Sequence, residues 1–247
     1  MPLTLFRFMT QATINSTFLG SLSPTEMREL AVFMKLKSLY KNSCVYGFSY
    51  RSLSFKSGVS INTLKKTIKS FLDKKWCRMH NGNLVFGKIK DVDDTDGRGV
   101  LVKFNLKKEN DYKYILKVLR LSLVKACSDR FDYVKSIIRD YKNPKTLDVH
   151  KKALKAVKNW GTIKLISESE KFCMSNRNIG SLFGRSKTTA SLLMKFGVKN
   201  GFAGLYKNYE QVKMSSHYAE ESKGYLIVGD KVFKRKSNKI VFSVSFF

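Results

Sequence analysis

The stretch FSYRSLSFKSGVSINTLKKTIKSFL, residues 48–72, decides how the N-terminal half of this chain is read. Gly58 lies in its middle. Glycine takes a left-handed backbone conformation without penalty, so a short helix ends there. Ser60 follows where a hydroxyl can accept a free N–H of a second helix. In that second helix Ile61, Leu64, Ile68, Phe71 and Leu72 share one face, the apolar one. Asn62, Thr63, Lys65, Lys66 and Lys69 share the other. The reading is a helix, a tight turn, then an amphipathic helix with its cations outward.

Upstream, Ser23-Pro24-Thr25-Glu26 holds a capping-box pair with proline at the first helical position. Met27, Leu30, Ala31, Met34 and Leu39 then follow helical spacing, and that helix is expected to end near Asn42-Ser43. Downstream comes WCRMHNGNLVF, residues 76–86. Asn81-Gly82 between two extended runs is a strong hairpin signal, because both residues tolerate the positive φ of a two-residue turn.

A helix-turn-helix followed directly by a hairpin resembles the winged-helix DNA-binding family, over roughly residues 23–89. The resemblance implies that the second helix enters the major groove and that the hairpin, the wing, touches the backbone or minor groove. Ser60, Asn62, Thr63, Lys65, Lys66, Lys69 and Arg78 are the candidate DNA contacts it implies here.

The pattern returns in SNRNIGSLFGRSKTTASLLMKF, residues 175–196. Ser175 is placed to cap a short helix with Ile179, Leu182 and Phe183 inward. Gly184 takes the turn as Gly58 does, and Ser186 caps the next helix as Ser60 does. Ala190, Leu193, Met194 and Phe196 form its inner side. Arg185, Lys187, Thr188, Thr189 and Ser191 lie at its start and outer face, where a helix N-terminus favours anions. Tyr225–Val228 and Val232–Lys236 flank Gly229-Asp230 as a second, basic hairpin, with Lys239–Val244 as its closing strand. Arg177, Arg185, Ser186, Lys187, Thr188, Thr189, Ser191, Lys195, Lys234, Arg235 and Lys236 are the second set of candidate contacts.

Charge agrees with this pattern. The chain carries 47 Lys and Arg against 19 Asp and Glu, a net charge of +28. Small soluble domains commonly carry a magnitude of ~2–8. A polyanion offsets the self-repulsion, and neutralised phosphates release counterions. A hydrophobic content of 43% argues for folded domains rather than a basic tail. No run of about 18 apolar residues offers a membrane span, and residues 1–18 lack the apolar core of a secretory signal. A cytoplasmic location is the expectation. Cys44, Cys77, Cys127 and Cys173 lie far apart, with no CxxC pair, and read as reduced thiols.

Between the two copies, the cluster Asp91 to Gly99 reads as a polar turn. It departs from the calcium-loop pattern in its glycine position and lacks a closing glutamate. Val100–Phe104 reads as a strand. Residues 105–160 read as helical, with a further helix over Thr146–Asn159, forming either a phosphate-tracking connector or a solvated surface. The expected class is α+β, mostly helical: a winged-helix domain over 1–106, a helical connector over 107–160 and a second winged-helix domain over 161–247.

Catalysis has no support in these residues. His80, His150 and His217 are scattered, no phosphate-binding GxxxxGK[ST] loop is present, and no cofactor or metal is expected. The tandem arrangement is similar to that of plasmid and phage replication initiators, and a transcriptional regulator fits as well. The Lys-, Phe- and Tyr-rich, Pro-poor composition suits an AT-rich phage or bacterial genome. The expected partner is double-stranded DNA, and a homodimer is left open. The alternative is a non-catalytic virion protein that neutralises packaged phosphates.

Overall fold

The computed structural model describes residues 11–40, 42–88, 92, 101–105, 111–139, 172–207, 209–213, 224–236 and 239–242. The fold is α+β with small antiparallel sheets. The described residues fall into two compact units, one up to residue 139 and one from 172 onward. The sequence segments Asp93–Gly99 and Thr146–Asn159 lie outside them.

The first unit opens with strand β1 (Gln11–Asn15) and helix α1 (Ser16–Ser21), followed by α2 (Pro24–Leu39). Ser23 caps α2 by accepting the Glu26 N–H, while the Glu26 carboxylate accepts the Ser23 N–H. Every residue from Leu30 to Leu36 is buried, so α2 is enclosed on all sides rather than lying on a surface. Phe33 is its centre, edge-on to Phe71, Trp76 and Phe86 at 5.5, 5.6 and 5.7 Å. Such pairs add to area burial. The helix ends at Leu39, earlier than the expected Asn42-Ser43, because Tyr40 turns extended and leads into strand β2 (Cys44–Val45).

Helices α3 (Tyr50–Ser57) and α4 (Ile61–Asp73) follow, then strands β3 (Cys77–His80) and β4 (Asn83–Phe86). Gly58 is left-handed at φ 67°. The hairpin turns on Asn81 and Gly82, both at positive φ, with His80 opposite Asn83. The sheet order is β2-β4-β3, so the last strand in sequence lies in the middle. Leu64, Thr67, Ile68 and Phe71 are the buried face of α4. Ile61 and Leu72, expected inside, are 39% and 37% exposed, since they sit at the helix ends on the margins of the apolar stripe.

Strand β5 (Leu101–Asn105) pairs antiparallel with β1, a partner that the sequence did not reveal. Helix α5 (Tyr112–Arg139) packs on α2 inside this unit. Ile115, Val118, Leu119, Leu121 and Val124 are buried along it.

The second unit runs β6 (Phe172–Cys173), α6 (Asn176–Ser181), α7 (Lys187–Lys199), β7 (Gly204–Tyr206), β8 (Tyr209–Val212), β9 (Tyr225–Val228), β10 (Lys231–Arg235) and β11 (Lys239–Val241). Its sheets are β6-β11-β7 and β8-β10-β9. Strand β11 therefore does not close the basic hairpin. It returns to β6 and β7, with Ile240 opposite Phe172 and Leu205, while β8 completes the sheet of the hairpin. Tyr209–Val212, after α7, supplies the third strand.

The units share one local design at a constant separation of 126 residues. Ser49 and Ser175 cap the first helix of each pair, and Ser60 and Ser186 the second. Gly58 and Gly184 are both left-handed. Both second helices have 13 residues. Beyond them Lys75 and Gly201 take positive φ, and the N–H groups of Trp76 and Phe202 return to the carbonyls of Phe71 and Gly197, each at 2.8 Å. The matching extends to the sheets. In each, a strand before the helix pair lies at one edge, the strand after it at the other, and the last strand between them.

Candidate nucleic-acid interface

Every candidate contact in the first unit lies on α4, its cap or β3. Asn62, Lys65, Lys66 and Lys69 are exposed and follow i, i+3, i+4, i+7 spacing, so they form one outward face. Ser60 and Thr63 are engaged elsewhere. The Ser60 hydroxyl accepts the Thr63 N–H at 3.3 Å and shares a 2.8 Å hydrogen bond with its hydroxyl. These two hydroxyls build the helix start, and the side chains beyond it remain for a ligand. Arg78 is exposed on β3, opposite Val85.

Asp73 ends the same helix one turn beyond Lys69, exposed and without an ion pair to these lysines. Glu26 and Glu29, on α2, both hold Lys74 at the far end of α4, at 3.2 and 2.9 Å. The Ser23 backbone N–H, then its hydroxyl, hold the Glu26 carboxyl below its ordinary range, with Lys74 adding to the effect. Among the described residues no carboxylate pairs with Lys65, Lys66 or Lys69. A groove of about 660 Å³ starts at Leu72 and runs beside the hairpin, with Lys75, Arg78 and Lys88 along it and Met79, Val85 and Phe86 on its walls. Cys77 also lines it. Burial pushes its thiol up to about 12, so it is protonated and unreactive near neutrality.

The second unit presents Arg185, Lys187, Thr188 and Lys195, all exposed, around the start and outer side of α7. Ser186 and Thr189 repeat the cap. The Ser186 hydroxyl accepts the Thr189 N–H at 3.2 Å and hydrogen-bonds its hydroxyl at 3.1 Å. Ser191 is half-buried, and Arg177 is exposed on α6. Leu182, expected inside, is 38% exposed, while Ile179 and Phe183 carry the inner packing, since the helix closes before Leu182.

On the basic hairpin, sequence reading missed an acid. Glu210 of β8 lies opposite Lys234 and ion-pairs with Lys236. Lys234 also stands over the Tyr225 ring at 6.0 Å. Of the three candidate cations here, Lys234 and Arg235 have no ion pair among the described residues. Tyr209–Val212 reads YEQV, with no apolar–polar alternation, so nothing in it separates a strand from a loop without its partner strand.

Sequence reading also passed over Arg51. It is exposed on α3 at the position that Arg177 holds on α6. Once the 126-residue correspondence is laid out, Arg51 joins the candidates.

Among the described residues no cluster of three His, Cys, Asp or Glu side chains is placed to hold a metal ion, and no helix is long and apolar enough to cross a membrane. His80 is exposed on β3. His150 and His217 lie outside the described residues. Comparison of the chain with protein-family models, with curated proteins and with solved structures gives no match.

Proposed function

We propose that this chain binds double-stranded DNA through two winged-helix modules. In the first, α4 is the reading helix and β3–β4 the wing. In the second, α7 is the reading helix and the enlarged sheet around β9–β10 the wing. One observation carries the reading. The same capped helix–turn–helix recurs 126 residues on, and each time the second helix carries exposed lysines that no described carboxylate ion-pairs. A helix of this width fits the major groove, where side chains reach base edges while flanking cations meet phosphates.

Within that reading the chain acts as a phage or plasmid replication initiator or as a transcriptional regulator. Both roles require recognition of a particular base sequence. The virion alternative requires charge alone. Selection of duplexes from a random pool by the full chain separates them. A recovered motif, with a specificity ratio of at least ~10³ over random DNA, supports site-directed binding. Binding without a motif supports phosphate neutralisation. Affinity that is flat from low to physiological salt overturns both, because counterion release gives a steep slope when many phosphates are contacted.

A further inference from the structure

The two outward helix faces share a lysine at Lys69 and Lys195 and differ at Asn62 and Thr188, at Lys65 and Ser191, and at Lys66 and Leu192, and only the last exchange exposes a large apolar side chain. Where α4 carries Lys66, α7 carries Leu192, which is 61% exposed. The inner side of α7 is made by Ala190, Leu193, Met194 and Gly197, so Leu192 takes no part in that packing. Thr188 lies one turn before it and Lys195 one turn after it on the same face, and Arg185 and Lys187 stand exposed at the helix start. An aliphatic side chain between Thr188 and Lys195, on a helix whose start carries further cations, suits a polyanion that also offers an apolar group. In the major groove that group is the thymine 5-methyl.

We infer that Leu192, with the methyl of Thr188 beside it, packs on thymine methyl groups and makes the C-terminal module selective for A·T-rich duplex. This rests on the DNA reading above and adds a base preference to it. The N-terminal module, with Lys66 at the same place, contributes charge without that preference. The two helices thereby divide the work: α4 supplies attraction to the backbone, and α7 supplies discrimination through a contact no lysine can make.

The test uses the full chain, an A·T-only duplex, and the same duplex with uracil in place of every thymine. Uracil lacks the methyl but keeps the hydrogen-bonding edge. Each methyl buried is worth about fourfold in affinity, so the uracil duplex binds several-fold more weakly. L192A binds the thymine duplex more weakly and loses most of the distinction between the two, leaving only the share of the Thr188 methyl. L192K, which copies the first module, keeps its affinity for duplex but loses most of the distinction. K66A weakens binding to both duplexes equally. Equal affinity of the unsubstituted chain for the two duplexes overturns the inference and leaves DNA binding intact. Discrimination that persists undiminished in L192A and L192K does the same. No binding to either duplex overturns the DNA reading with it.

Discussion

The two helix pairs are built to one plan, yet they close their turns by different means. In the first, Ser54 donates its hydroxyl to the Val59 carbonyl at 2.7 Å. In the second, the matching residue is Gly180, and the chain fills the vacant space. The Arg185 N–H reaches the Gly180 carbonyl at 2.9 Å, and a Cβ on Gly180 would stand 2.6 Å from the Arg185 carbonyl oxygen. One turn is held by a side chain and the other by close backbone approach. The second is tighter and less tolerant, and it carries Arg185 directly at the start of α7. The general point is that a repeated fold does not imply repeated tolerance to substitution.

The largest effect expected from this contrast follows from Gly180→Ala. The added methyl meets backbone rather than a flexible side chain, so the turn must open, at a cost of about 3 kcal/mol. Ser54→Ala removes one hydrogen bond and leaves the Val59 carbonyl short of a partner, at about 1 kcal/mol. Chemical denaturation of each variant measures both, and a Gly180→Ala change no larger than the Ser54→Ala one would break the comparison.

Charge removal tests whether both helices bind. Replacing Lys65, Lys66 and Lys69 together by Ala should weaken duplex binding by about tenfold or more and lower the salt slope by roughly 0.9 for each phosphate no longer neutralised. Replacing Arg185, Lys187 and Thr188 should do likewise, with the far-UV spectrum unchanged in both. Footprints should lose one patch in each case. A single patch, missing in only one variant, would show that one module alone touches DNA.

Smaller effects come from the residue after each long helix. Lys75 sits at φ 58° and Gly201 at φ 74°. A left-handed conformation costs a side-chain-bearing residue about 1 kcal/mol, so Lys75→Gly should stabilise the first unit and Gly201→Ala should destabilise the second, each by about that amount. Matching shifts of opposite sign in thermal midpoint would sharpen the correspondence. If Lys75→Gly also weakens duplex binding, the amine of Lys75 belongs to the interface.

The smallest expected effect concerns thiols. Cys77 is buried with its thiol pushed up to about 12, whereas Cys44 is half-buried. Alkylation of the native protein at neutral pH, followed by peptide mapping, should mark Cys44 well before Cys77. Early labelling of Cys77 would mean that the hairpin opens readily.

What was legible in the sequence was local. Ser23, Ser60, Ser175 and Ser186 cap helices where the sequence places caps, because a cap depends on a hydroxyl and the next three N–H groups alone. The Asn81-Gly82 and Gly229-Asp230 turns are likewise local. Pairings between distant segments were not legible. The partnership of Gln11–Asn15 with Leu101–Asn105, and the return of Lys239–Val241 to Phe172–Cys173, join segments whose short alternations carry no mark of their partner.

The candidate site divides along the same line. Sequence by itself determined which helix faces are cationic, since helical periodicity and the charges of Lys65, Lys66, Lys69, Lys187 and Lys195 suffice for that. Only the tertiary structure decided which cations elsewhere in each unit are paired. Glu210 reaches Lys236 across a sheet, and Glu26 and Glu29 reach Lys74 across a helix interface. Ion pairing depends on distance in space, and chain separation does not encode that distance until the strands and helices have packed.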